Sequence, residues 1–120
     1  MSPENQRRAV AENDKRRRRR VLTSLTCNWG WDEGVTKGGK VTSLSLGGCF
    51  LQTTVYGEQD RLLHFHLWLP TGGWLKLRGS VRYAIEGVGF GVVFRVPDEE
   101  EEGHLLAVMD HYEANPPVKR

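Results

Sequence analysis

The sequence predicts a mainly β protein, a six-stranded antiparallel β-barrel with a C-terminal α-helix. Three observations carry that expectation. Between Val21 and Val96 apolar residues recur at alternate positions in short runs, the periodicity of strands with one buried face. Turn-forming segments rich in Gly, Pro and Asp separate these runs, and only after Pro97 does the apolar spacing become helical. Six strands at such short spacing favour a closed sheet, because closure removes exposed edges.

Each element can be justified in turn. Val21, Thr23, Leu25, Cys27 and Trp29 alternate with Leu22, Ser24, Thr26 and Asn28 to form the first strand, and WDEGVTKGGK supplies the turn after it. VTSLSLGGCFLQTTV reads as two strands joined at a corner or bulge around Gly47 and Gly48. In RLLHFHLWL, Leu63, Phe65, Leu67 and Leu69 share one face, and His64, His66 and Trp68 share the other. After the PTGG turn, WLKLRGSVRYAI directs Leu75, Leu77, Val81, Tyr83 and Ile85 inward and Lys76, Arg78, Ser80 and Arg82 outward. GVGFGVVFRV puts Val88, Phe90, Val92, Phe94 and Val96 on one face, and these last two strands are expected to form a hairpin.

Asp98 followed three residues later by Glu101 has the form of a capping box. The acidic run Asp98 to Glu102 suits a helix N-terminus, and Leu105, Val108, Met109 and Tyr112 recur at helical spacing. Asn115, Pro116 and Pro117 stop the helix. The expected organisation is a mobile leader over residues 1–15, a barrel domain with its helix over 16–114, and a tail over 115–120.

The 120 residues suffice for one core, burying roughly two thirds of the unfolded surface. No apolar run approaches the roughly 20 residues that span a bilayer, so membrane insertion is not expected. The N-terminus lacks the apolar segment of a secretory signal, and the expected location is the cytoplasm. Cys27 and Cys49 lie in apolar strand-like stretches without metal-binding spacing, as buried reduced thiols would. Net charge is +2, but residues 1–20 hold eight Lys/Arg against three Asp/Glu. That leaves nine basic and twelve acidic residues in 21–120, so an arm of about +5 precedes a body of about −3.

Two groups of residues are candidates for binding. Arg16 and Arg20, at the ends of the run RRRRR, are separated by at most about 14 Å in an extended chain, enough to grip different parts of one small dianion. The planar fork of arginine can donate paired hydrogen bonds to a phosphate or to the O6 and N7 edge of guanine. Charge alone favours a solvated tail that meets nucleic acid or acidic lipid non-specifically. In SLSLGG, Ser43 and Ser45 are expected on one strand face, with Gly48 leaving room for a flat ligand to approach the backbone. A half-exposed strand ending in a turn explains the same residues.

Together, in this order, these groups resemble the PilZ domain family, the bacterial receptors for cyclic di-GMP. Arg16 and Arg20 match the family's R-x-x-x-R element, and Ser43, Ser45 and Gly48 fall on its D/N-x-S-x-x-G element. GSVRYAI and GVGFGVVF, followed by the acidic helix start, are similar to its last strands and helix. The resemblance covers about Lys15 to Glu113. It implies that Arg16 and Arg20 take phosphates and guanine edges, that Ser43 and Ser45 take a second guanine, and that Gly48 keeps the approach open. Arg17, Arg19 and Gly47 are secondary candidates. The implied output is an ordered arm and a changed surface sensed by an unidentified downstream protein, with no reaction catalysed.

Ser43 departs from the family's Asp or Asn, and one hydroxyl replaces a carboxylate that could accept two charge-assisted bonds. The resemblance therefore also admits a PilZ-like domain that has lost the ligand and acts through protein contacts. A small-barrel nucleic-acid binder using the arginine arm is a further alternative, opposed by the acidic body, so nucleic acid is not the expected partner. His64 and His66 share a strand face without an evident third ligand, and His104 and His111 lack ligand spacing, so no metal is expected. No nucleophile elbow, Cys/His signature or phosphate-cradling loop can be read, and no cofactor is implied. Trp29, Trp31, Trp68 and Trp74 suit core and lip positions, with base stacking as the less common use.

Overall fold

The computed structural model describes residues 19–117. The leader, Arg16, Arg17 and the last three residues therefore lie outside the described residues. The strands are β1 (Val21–Gly30), β2 (Lys37–Leu44), β3 (Gly48–Gln52), β4 (Leu62–Trp68), β5 (Trp74–Ile85) and β6 (Gly89–Phe94), followed by the helix α1 (Glu99–Ala114). All pairings are antiparallel, and the sheet closes in the order β1-β2-β3-β6-β5-β4, with β4 returning to β1. The expected six-stranded barrel with one C-terminal helix is what forms.

Alternation places the core. Val21, Thr23, Leu25, Cys27 and Trp29 are buried while the residues between them face solvent, and Leu63, Phe65 and Leu67 do the same in β4. Both cysteines are free and buried. Near the end of β1, Trp29 is fully buried, edge-on to Trp31 and Phe90 at centroid distances of 5.1 and 5.3 Å. Arg61 caps this cluster, its guanidinium 4.0 Å from the Trp31 ring centre.

The strand-one turn is shorter than the sequence suggested. Lys37 to Lys40 belong to β2, because the ten-residue β1 continues to pair as far as Trp29 with Lys37. Gly39 permits this: a β-carbon there would approach the Trp29 ring to 3.1 Å. Tyr83 and Ile85, expected inside, are half exposed. The β5–β6 register shifts between Val81 and Tyr83, the in-out alternation stops there, and every residue of β5 from Arg82 to Ile85 is exposed. Val88 and Val96 are also exposed, since each lies just outside β6.

The capping box is present at α1. Asp98 Oδ1 accepts from Glu101 N at 2.8 Å, and Glu101 Oε1 accepts from Asp98 N at 2.9 Å. Leu105, Val108 and Met109 are buried in the common core, and the helix packs on β1, where the Tyr112 hydroxyl donates to Ser24 O at 3.1 Å. No helix among the described residues is long and apolar enough to cross a membrane.

Two outcomes follow for stability. A β-carbon at Gly48 would lie 2.1 Å from Val92 O on β6, whereas one at Gly47 meets nothing within 4 Å. Gly48→Ala is expected to cost about 1–3 kcal/mol in urea denaturation, and Gly47→Ala less than about 0.5 kcal/mol. Burial raises the Cys27 thiol from 9.0 to about 12. The unfolded thiol ionises first as pH rises, so its stabilising contribution is complete below about pH 9 and is lost between 9 and about 12, which denaturation at stepped pH will register.

Candidate functional site

Arg20 immediately precedes β1, and the register of β1 with β2 sets Val21 opposite Leu44 and Leu22 opposite Ser43. That register brings the arginine to the end of β2. Its Nη1 donates to Ser43 Oγ at 3.0 Å, so one residue from each sequence-predicted group is in direct contact with the other. Arg19, one residue earlier, turns the opposite way. Its Nη2 bonds Asp110 Oδ1 at 3.0 Å, and its Nε lies 3.0 Å from Glu113 Oε1, an ion-pair distance without hydrogen-bond alignment. Arg19 is thus tied to α1 and does not join the corner.

Ser43 and Ser45 do not occupy equivalent places on one strand face. A bulge separates the pairs Val41 with Leu51 and Ser43 with Phe50, β2 ends at Leu44, and Ser45 enters the corner. Ser43 remains partly exposed, but Ser45 is buried. The Ser45 hydroxyl donates to Gly48 O at 3.2 Å and accepts from Gly48 N at 3.1 Å, while Ser45 N donates to Gly48 O at 2.8 Å. This serine closes the turn that the two glycines occupy. Gly47 O in turn accepts from Phe94 N at 2.9 Å, which fastens the corner to β6. Gly48 is glycine for a packing reason as well, since the β6 carbonyl of Val92 fills the space of its missing side chain.

Beside this corner, on the outer side of the barrel, is a cavity of about 370 Å³. Arg20, Ser45, Gly47 and Gly48 line one wall, and Arg82, Tyr83, Gly91 and Val93 line the other. Two guanidinium groups face it, and among the described residues no carboxylate does, so its field suits an anion. The Cys49 thiol at its base is held in the neutral form by burial, reinforced by Cys27 and only partly offset by Arg20.

Arg82 and Tyr83 escaped the sequence reading. The bulge at the Val81–Tyr83 step turns Tyr83 outward, opposite Gly91, and a β-carbon on Gly91 would lie only 2.4 Å from the Tyr83 ring. Tyr83 also leans toward Phe50, centroid to centroid 6.3 Å. The half-exposed Tyr83 ring lines the cavity beside the two arginines, an aromatic face of the kind on which a base can stack. The signal available in the sequence was the pairing of a tyrosine with the glycine of GFG, which becomes visible only once the register is known. Among the described residues no group of three or more His, Cys, Asp or Glu side chains comes together as a metal site would require.

A family model described as the PilZ domain matches residues 14–110. No curated protein matches the chain. Among solved structures, the chain is similar to the Bacillus subtilis inhibitor of motility MotI/DgrA, with a TM-score of 0.69, 15% identity, and coverage of 83% of this chain and 53% of that one. It is also similar to the PilZ domain of CeSA from a cellulose-synthesizing bacterium, with a TM-score of 0.62, 15% identity, and coverage of 79% and 98%. For K. pneumonia MrkH the TM-score is 0.62, the identity 15%, and the coverage 82% and 49%. The chain therefore spans about half the length of the first and third of these proteins and nearly all of the second. At such identities the likeness is one of fold.

Proposed function

The chain belongs to the PilZ domain family, and from that premise we propose that it is a cyclic di-GMP receptor or adaptor that binds its ligand at the β2–β3 corner and catalyses no reaction. The observation that carries this reading is that Arg20, hydrogen-bonded to Ser43, also lines with Arg82 a cavity that no carboxylate among the described residues faces. A ligand with two phosphates and two guanines offers both the charge and the flat faces that such a cavity can use.

The parts divide as follows. Arg20 exchanges its neutral bond to Ser43 for a charge-assisted bond to phosphate or a guanine edge, roughly twice as strong. Arg16, from the other end of the R-x-x-x-R element, supplies the second guanidinium. Ser43, released by Arg20, offers its hydroxyl to a guanine, and Gly47 and Gly48 leave the backbone approachable. Ser45 contributes chiefly by holding the corner, because its one proton is already given to Gly48 O. Closure of the arginine arm over the ligand changes the surface that a downstream protein meets.

A second reading has its own support. With Ser43 standing where the family usually carries Asp or Asn, and Ser45 engaged by Gly48, the corner has no carboxylate to receive the N1 and N2 protons of guanine. That favours a PilZ-like domain acting through protein contacts without the ligand. Calorimetric titration with cyclic di-GMP separates the two. Binding by the wild type is expected, its loss in Arg20→Ala, and equal or tighter binding in Ser43→Asp. Absence of heat well into the micromolar range for the wild type rejects the receptor reading in favour of the second.

A further inference from the structure

Away from the corner, the outer face of the β4–β5 ribbon carries a stripe unrelated to the PilZ motifs. In this ribbon His64 pairs with Arg78, His66 with Lys76 and Trp68 with Trp74. Their neighbours Leu63, Phe65, Leu67, Leu75 and Leu77 are buried, so these three rungs point outward together. Here two successive rungs oppose a histidine to a cation, and the outward positions of the ribbon include no acid. Arg95, whose N–H donates to Arg78 O at 2.8 Å, adds a third permanent cation to the same groove of about 700 Å³. Among the described residues none of Lys76, Arg78 and Arg95 makes an ion pair. His66 is held below its ordinary range by desolvation, then by Lys76 and His64, as a positive local field requires.

The next rung is aromatic. Trp68 and Trp74 meet edge-on with centroids 4.9 Å apart, and each is nearly half exposed, at 44% and 46%. Tryptophan and arginine are the residues that most often dominate binding energy at protein interfaces. From this juxtaposition we propose that the β4–β5 face is a docking surface for an acidic peptide segment of a partner protein, with an apolar side chain on the Trp68–Trp74 pair and carboxylates along Lys76, Arg78 and Arg95. The acids of the groove argue for a short acidic segment over a nucleic acid. Glu33, Asp98 and Glu101 also line it, and they would repel a continuous phosphate backbone while limiting a peptide to a few carboxylates. The inference is independent of whether the corner binds cyclic di-GMP.

The test uses the full chain and a fluorescein-labelled peptide of glutamates with one leucine, read by anisotropy. Saturable, salt-sensitive binding is expected, weakened at least about tenfold in a Lys76→Glu/Arg78→Glu variant and about threefold or more in Trp74→Ala, with Arg20→Ala unchanged. All four substituted positions are exposed, and unchanged circular dichroism verifies folding. Amide shifts in NMR on adding the peptide are expected along 64–68 and 74–78. Failure of the wild type to bind the peptide, equal binding by the charge-reversed variant, shifts confined to the arginine arm, or displacement of the peptide by an equally charged oligothymidylate would each overturn the proposal.

Discussion

The close approach of β3 to β6 at Gly48 is the contact on which the rest of the structure depends. With Val92 O occupying the volume a side chain would need, the two backbones can pair from Gly48 through Gln52, and that pairing closes the barrel. The same contact determines the corner. Because Gly48 is pinned against β6, its amide and carbonyl are presented to Ser45, and Gly47 O is presented to Phe94 N. The cavity beside them depends on the same contact, since Gly48 and its β6 neighbours Val92 and Val93 all line it.

Closure also separates neighbouring arginines. Residues of an extended chain alternate sides, and at the entrance to β1 this sends Arg19 to the acidic face of α1 and Arg20 to Ser43. An exposed ion pair such as Arg19 with Asp110 contributes at most about 1 kcal/mol, so its effect is more on direction than on stability. It holds the base of the arm against the helix while its neighbour remains free to exchange one oxygen partner for another. An even spacing such as R-x-x-x-R keeps both of its members on one side of any extended segment, whereas Arg19 belongs to the other side.

Strand periodicity was legible where a strand buries one face completely, as Val21 to Trp29 and Leu63 to Leu67 illustrate. The capping box was legible because it is a local device of four residues. Bulges were not, because they depend on which partner strand a residue meets. One at Val81–Tyr83 reversed Tyr83 and Ile85, and one at Val41–Ser43 set Ser43 and Ser45 to different tasks. Half of the site followed the same division: Arg20, Ser43 and the glycine corner are contiguous with readable motifs, whereas Arg82 and Tyr83 are delivered by a register shift. The turn before β2 failed for a related reason, since only the length of β1 shows that Lys37 has a partner.

Bulges are found where a sheet must re-aim a side chain, and the one at Val81–Tyr83 flanks the cavity. A regular β5 would have buried Tyr83 and kept Gly91 bare; the extra residue instead lays the ring across that glycine and leaves Arg82 facing the corner. Four cations of the body are gathered into two fields, Arg82 beside Arg20 at the corner and Lys76, Arg78 and Arg95 along the β4–β5 groove, although residues 21–120 are acidic overall. Much of the compensating charge lies at the start of α1, in Glu99 to Glu102, where the helix dipole stabilises it. Segregation of this kind lets a net-acidic domain present cationic sites without attracting every polyanion, because a long one that follows the β4–β5 groove meets Glu33, Asp98 and Glu101.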